Sequence, residues 1–282
     1  MCSLKSEVGN GPVSGSSRLK QQMASLILET VACLRRSLVT KEGTMPTDSV
    51  YIQRAYYART AGTYDEMHDA YEDNHGYTLA EHFMISVVEH LGIRSILDIG
   101  CGTGRVIQRI KEKMPNVKIL GIEPSRELRD AAYEKGLSKA EVADGDAMNL
   151  AFGDGSVDLV CEFGVLHHIA TPSKAVSEML RVSRKAIFIT DNNNFGEGSK
   201  YFRLLKQAIN AAGLWRFVDW IKTGGKGYSI TELDGLAYSY SVFNDYKQIA
   251  RSCQSVHMLN TVNSGPNLYR TASRVAMLGI KG

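Results

Sequence analysis

The 282-residue sequence predicts an α/β fold built around a parallel sheet. Three observations predict it. Ser95-Ile96-Leu97-Asp98-Ile99 reads as a short buried strand that breaks into glycines at 100, 102 and 104, then enters the helical spacing of Val106, Ile107 and Ile110. A second buried strand, Val117 to Glu123, follows that helix. Two further apolar runs, Val157 to Cys161 and Lys185 to Thr190, lie downstream with a helix start at Thr171-Pro172 between them.

Composition bounds the chemistry. With 44% hydrophobic residues the chain can bury an ordinary core. Lys and Arg number 33 against 30 Asp and Glu. The excess lies in residues 1–44, so no basic stripe points to nucleic acid. The five cysteines are scattered and never in C-x-x-C spacing, which argues against a disulfide framework or a zinc site. No metal is expected. No apolar run reaches the ~18 residues of a membrane span, and the apolar stretch 23–34 carries Glu29 with arginines after it, unlike a signal peptide. The expected setting is a reducing, cytoplasmic one.

Residues 1–45 read as an N-terminal extension: 1–20 are Ser/Gly-rich and expected to be disordered, and 21–38 have the spacing of an amphipathic helix. Met45 is a candidate second start. Residues 46–91 read as a helical lead-in with six tyrosines. Tyr57 and Tyr64 are seven apart and share a face if their helix is unbroken. Ordinary core or surface packing is the competing reading for each ring. Residues 78–91 are expected to pack as a helix beside the sheet.

The glycine turn is a binding device. Glycine lets the backbone turn sharply and lets a ligand sit against bare amides, and the following helix N-terminus adds partial positive charge. In a dinucleotide fingerprint, G-x-G-x-x-G, the third glycine would come one residue later, where Arg105 stands. Asp98 adds a carboxylate suited to an ammonium group. Glu123 ends the next strand, and one carboxylate there accepts from both hydroxyls of a ribose. NAD-binding folds do the same, so Glu123 supports a ribose without naming the ligand. Next come Gly145-Asp146-Ala147-Met148 and the reversal Gly153-Asp154-Gly155. Adenine needs an acceptor, a donor and flat apolar walls, which this block supplies.

Taken together, these blocks resemble the class I S-adenosylmethionine (SAM)-dependent methyltransferases, strongly over 95–170 and weakly over the rest of 50–282. The resemblance implies a Rossmann-like, seven-stranded, mostly parallel sheet with helices on both faces and an antiparallel last strand. It implies SAM as cofactor and S-adenosylhomocysteine as product. It gives Asp146 the adenine amine, the Ala147 amide a ring nitrogen, and Met148 the ring face. The remaining cofactor-binding candidates are Tyr57 and Tyr64 closing over SAM, with Asp98, Gly100, Cys101, Gly102, Thr103, Gly104, Glu123, Pro124, Glu162 and Phe163.

Catalytic candidates lie where ligands sit in open sheets, beyond the carboxyl ends of the strands. Strand four opens into Leu166-His167-His168-Ile169 and strand five ends at Asp191. A histidine oriented by a carboxylate can act as general base. Alternatively the His pair is a feature of the fold, one ring capping the helix at Thr171-Pro172. Residues 195–240 read as an insertion with helical spacing from Phe202 to Ile221, a Gly224-Gly225 turn, and an aromatic stretch at Tyr238-Ser239-Tyr240-Ser241. They either cover the acceptor site or dock with their tryptophans in the core. Residues 244–252 read as the last helix, and 255–259 and 274–280 as the last two strands, joined by a turn at 263–267. The domain proper is expected to span 92–282. The function expected is transfer of a methyl group to a hydroxyl or amine of a small molecule by in-line displacement, with no nucleic-acid partner. A macromolecule methyltransferase, a non-catalytic SAM-binding protein and an NAD-dependent oxidoreductase are the alternatives. The sequence leaves the oligomeric state open.

Overall fold

The computed structural model describes residues 47–70, 74–232, 234–262 and 265–282. The extension 1–45, its expected helix over 21–38 and the start at Met45 lie outside the described residues, as do 263 and 264 of the last turn. In chain order, α1 (Thr47–Thr60), α2 (Tyr64–Ala70) and α3 (Asn74–His90) precede the first strand, β1 (Ser95–Ile99). Then come α4 (Arg105–Lys113), β2 (Lys118–Ile122), α5 (Arg126–Glu134), β3 (Val142–Ala143), β4 (Val157–Phe163), α6 (Pro172–Val182) and β5 (Ser183–Asn192). The chain continues through α7 (Lys200–Ala211), α8 (Trp215–Lys222), β6 (Tyr228–Thr231), β7 (Gly235–Tyr238), α9 (Tyr246–Ser252), β8 (Ser255–Asn260), α10 (Leu268–Thr271) and β9 (Arg274–Ile280).

Seven strands form one sheet in the order β3-β2-β1-β4-β5-β9-β8. The first five are mutually parallel, and β9 runs antiparallel between β5 and β8. The expected sheet with an antiparallel last strand is therefore present. Side chains alternate across it as the pleat requires. Leu97, Ile99, Ile187 and Ile189 face one core, packed with α6 and α9 residues such as Met179 and Ile249. Ile96 and Phe188 face the other, with Met84, Ile107 and Ala132 from α3, α4 and α5. Helices therefore cover both faces, and β1 and β4 read as near-continuous apolar runs because both sides are buried. Pro172 opens α6 at a position where its missing N–H costs nothing. Ser125 caps α5 by accepting from the Leu128 N–H.

The lead-in is not one unbroken helix: residues 61–63 form a 3-10 turn between α1 and α2. The third strand is two residues long, and an isolated bridge between Asp146 and Asn149 follows it. The insertion holds the helices α7 and α8, as its spacing predicts. After α8, three glycines with positive φ (Gly224, Gly225 and Gly227) end the helix, and β6 and β7 pair as an antiparallel hairpin. The tryptophans do not enter the core: Trp220 is 49% exposed, and Trp215 donates to the Ser239 hydroxyl. Tyr240 is the buried member of the aromatic stretch, its hydroxyl donating to Asp245 at 2.9 Å.

Phe188 is fully buried at the middle of β5, edge-on to Phe83 and tilted against Phe163. Phe188→Ala leaves a cavity that its β-sheet neighbours cannot close. The expected loss is ~3–5 kcal/mol of unfolding free energy, read from urea denaturation. A loss below about 1 kcal/mol would contradict this packing.

Candidate active site

β1 delivers the glycine turn at the carboxyl edge of the sheet. Gly100, Gly102 and Gly104 have φ of 65°, 54° and 78°. A Cβ on Gly100 would lie 2.6 Å from Val165, and one on Gly104 would lie 2.2 Å from Leu137. The turn therefore excludes side chains by geometry as well as by backbone sign. The Gly102 N–H donates to Glu123 at 3.1 Å, and the Ser125 N–H donates to its other oxygen at 2.8 Å. Burial lifts the Glu123 pKa to about 7 in spite of those two donors. Asp98, behind the turn, is buried with the Cys161 thiol donating at 3.7 Å, and burial raises its pKa to about 8. Burial also raises the thiol of Cys101.

The lead-in helices sit on this turn. Thr103 donates to Asp65 of α2 at 2.6 Å, and Lys135 pairs with the same carboxylate. The Tyr64 ring packs over Gly102, approaching within 3.7 Å of where a Cβ would stand. Tyr57 meets Tyr64 edge-on with ring centroids 6.0 Å apart, so the 3-10 turn between them preserves their contact. A cavity of about 230 Å³ lies between the glycine turn, Tyr64, Tyr77, Phe163 and the His pair. Asp98 and Cys101 also line it.

The opposite wall is built by the ends of β4 and β5. His167 and His168 sit on a 3-10 turn, Leu166–His168. Asp191, fully buried, accepts the His167 backbone N–H at 3.1 Å and holds its Nδ1 at 2.7 Å. His167 Nε2 lies 3.0 Å from Asp234 at the tip of the β6–β7 hairpin. His168 Nδ1 lies 2.6 Å from the Leu236 carbonyl, and its Nε2 lies 3.3 Å from Asp234. Burial opposes charge on His167, but Asp191 and Asp234 outweigh it and raise its pKa to about 10. Burial likewise opposes charge on Asp191, and His167 overcomes it, holding that carboxyl below its usual range. Glu162, also fully buried, is pushed the other way by burial and by the Asp191 charge. It accepts the Val165 N–H at 2.8 Å, beneath the cavity wall.

The structure thus brings together the glycine turn, Glu123, Asp98, Tyr57, Tyr64, Phe163, His167, His168 and Asp191. It sets the adenine candidates apart. Asp146 is exposed and accepts its own Met148 N–H at 2.8 Å, and Ala147 and Met148 lie beyond β3, outside the cavity lining. Pro124 is exposed next to buried Glu123. Neither histidine caps α6; both rings are engaged with Asp191, Asp234 and Leu236. Sequence reasoning missed Asp234, although Asp234-Gly235 between two short β-prone runs is a hairpin signal. It also missed Tyr77, whose hydroxyl lies 2.1 Å from where a Cβ on Gly164 would stand, and the Arg274 guanidinium 4.2 Å over that ring.

Residues 97–189 match the family model of the methyltransferase domain. An uncharacterized methyltransferase of Schizosaccharomyces pombe is 32% identical over 105 residues, 33% of this chain and 37% of that protein. A demethylmenaquinone methyltransferase of Deinococcus radiodurans is 34% identical over 93 residues, 32% of this chain and 38% of that protein. The chain thus spans well under half the length of these relatives. A crystal structure of a Pyrococcus horikoshii protein shares the fold, with a TM-score of 0.53 at 15% identity over 81% of this chain and 99% of that one.

The buried acids set a pH dependence. Asp98 and Glu123 titrate near 8 and 7 when folded, above the ~3.9 and ~4.3 of an unfolded chain. The folded state therefore holds more protons between those limits, and stability falls as pH rises from about 4 to about 8. His167 adds loss in the same direction from about 6.5 upward toward 10. Ligand-free protein is expected to melt lower at pH 8 than at pH 5, and Asp98→Asn to flatten that slope. Equal slopes in both proteins would show that Asp98 is not buried as a charge-intolerant acid.

Proposed function

We propose, from the premise that residues 97–189 make this chain a member of the class I SAM-dependent methyltransferase family, that it transfers the SAM methyl group to a hydroxyl or amine of a small-molecule acceptor. The observation that carries the reading is the cavity itself. One wall is a glycine turn anchored by Glu123 and roofed by Tyr64, and the other is the His167–His168 pair backed by Asp191. Cofactor and acceptor can therefore meet between these two walls.

In this reading the glycine turn and Cys101 take the methionine end of SAM, with Asp98 facing its ammonium. Glu123 accepts from the ribose hydroxyls. Asp146, Ala147 and Met148 form the adenine end, with Pro124 and Glu162 beside the strand ends that frame it. Tyr57, Tyr64, Thr103 and Phe163 close the site. The sulfonium methyl is already electrophilic, so most of the acceleration comes from holding nucleophile, methyl carbon and sulfur in line. Removal of the acceptor's proton falls to the cluster of His167, His168 and Asp191 on the other wall; Asp191 and Asp234 hold His167 protonated, which leaves His168 as the ring to take that proton. Residues 46–91 serve as the lid and 195–240 as the acceptor's cover. A small acceptor is favoured by the relative whose name carries a demethylmenaquinone.

Label transfer tests the acceptor class. Methyl-labelled SAM incubated with the protein and a cell extract is expected to mark small molecules or lipids; label in protein or RNA would overturn it. Glu123→Ala tests the cofactor site separately. Losing a buried carboxylate that accepts two hydroxyls is expected to weaken S-adenosylhomocysteine about 30- to 100-fold by calorimetry, equivalent to ~2–3 kcal/mol. Unchanged affinity would remove Glu123 from the site.

A further inference from the structure

We propose that His167, His168 and Asp234 hold a divalent transition-metal ion that binds and activates a hydroxyl of the acceptor. The proposal rests on the methyl-transfer reading of this cavity and changes only how the acceptor is activated.

The argument begins with the protons. His167 Nδ1 faces the Asp191 carboxylate at 2.7 Å, and His168 Nδ1 faces the Leu236 carbonyl at 2.6 Å. Both partners can only accept, so Nδ1 carries a proton in each ring; the Gln53 amide nitrogen lies farther from His168 Nδ1, at 3.5 Å. A cation that displaces the proton His167 shares with Asp234 meets a lone pair at Nε2 of each ring. Both Nε2 atoms point at one carboxylate, 3.0 Å and 3.3 Å from the two oxygens of Asp234. Three electron-pair donors thus converge, their ligand atoms all within 4.8 Å of one another. One proton between His167 and Asp234 still leaves His168 Nε2 facing the other Asp234 oxygen at 3.3 Å, with the two rings 4.0 Å apart by their centroids. One divalent cation satisfies all three donors at once.

The spacing fits such a cation. Ligand atoms about 2.1 Å from a common metal stand about 3.0 Å apart at a right angle and about 3.4 Å apart in a tetrahedron. The two nitrogen–carboxylate separations fall on and between those values. The surrounding contacts fit as well. Histidines that bind metals donate their other N–H to a carboxylate or a backbone carbonyl, which fixes the tautomer and the ring orientation. His167 has the first kind of partner and His168 the second. Nearby cations are already engaged: Arg109 pairs with Glu81 and the Arg274 guanidinium lies over the Tyr77 ring.

Two imidazoles and one carboxylate suit zinc and its first-row neighbours rather than magnesium or calcium, which prefer all-oxygen sites. Three protein ligands on a cavity wall leave positions open to a substrate oxygen, as in catalytic sites. A bound cation lowers the pKa of a coordinated hydroxyl, as it lowers that of water from 15.7 to about 7. The O–H proton passes to solvent water. The oxygen then forms its bond to the methyl carbon, and the carbon–sulfur bond breaks with its electron pair retained by the sulfur of S-adenosylhomocysteine. The acceptor class this selects is a hydroxyl compound with a second oxygen able to chelate.

Cobalt(II) is the probe. The full chain, stripped with EDTA and dialysed, is titrated with Co²⁺ while visible d–d absorption and heat are recorded. One equivalent is expected, with nitrogen-ligand bands. His168→Ala and Asp234→Ala are each expected to weaken binding about 100-fold or more with melting temperature and S-adenosylhomocysteine affinity little changed. Asp234 sits at a hairpin tip, so its replacement tests the site without removing a core residue. Absence of binding at millimolar Co²⁺, or variants that bind it as tightly as the unmodified protein, overturns the metal site. Loss of S-adenosylhomocysteine binding in the unmodified protein would instead overturn the methyltransferase reading and leave the cobalt titration readable.

Discussion

The turn after β1 must reverse direction at the sheet edge through three glycines with positive φ, and the rest of the site is arranged around that constraint. Gly100 has Val165 against it and Gly104 has Leu137, so the turn is packed on both flanks. The Gly102 amide is held by Glu123 across the gap between β1 and β2, and the Cys101 amide by the Ile122 carbonyl. Parallel pairing sets the distance: Ile99 lies opposite Ile122 in register, which puts the residues that follow both strands side by side. A shift of register by one would turn each side chain to the other face and separate the pair.

Charge gives the cavity its character. Asp98 and Glu123 are buried without a basic side chain hydrogen-bonded to them, and their affinity for protons rises accordingly. Asp191 behaves differently because His167 stands against it. The first two carboxylates are therefore costly when ionised in the free protein, and a ligand that brings positive charge and hydroxyl donors relieves that cost. Binding and charge compensation become the same event on the glycine-turn wall. On the other wall two imidazole rings stand among Asp191 and Asp234.

Much of this was legible in the sequence, and the reason is locality. The glycine turn, Glu123 and the His pair each sit at the end of an apolar strand, where pattern alone places them at one edge of a parallel sheet. The order of strands and the two-sided core follow from the same runs. The hairpin contribution was not legible in that way. Asp234 stands 67 residues from His167, and nothing in periodicity says that a turn in the insertion will land on the LHHI segment. Asp234-Gly235 announces a hairpin but not its destination. The Tyr57–Tyr64 contact was readable from spacing although the assumed helix breaks. The turn at 61–63 adds its own rotation, and tertiary packing on Gly102 holds Tyr64 in place.

The hairpin that carries Asp234 is gripped by the same helix that precedes the lid. Gln53 of α1 accepts the Leu236 N–H at 2.6 Å and donates to the Asp234 carbonyl at 3.4 Å, and Tyr56 donates to the Glu232 carbonyl at 3.1 Å. Gly235 has no room for a Cβ, which would meet Gln53 and Tyr56 within 3 Å. From α1 the chain passes directly into α2, whose Asp65 holds Thr103 and whose Tyr64 covers Gly102. A continuous set of contacts therefore joins the roof of the glycine turn to the placement of Asp234 on the His pair. A displacement of α1 and α2 away from the glycine turn strains the Gln53 and Tyr56 bonds that position the hairpin, so the two walls are ordered together. α1 and α2 are thereby the mechanical link between the hairpin and the glycine turn.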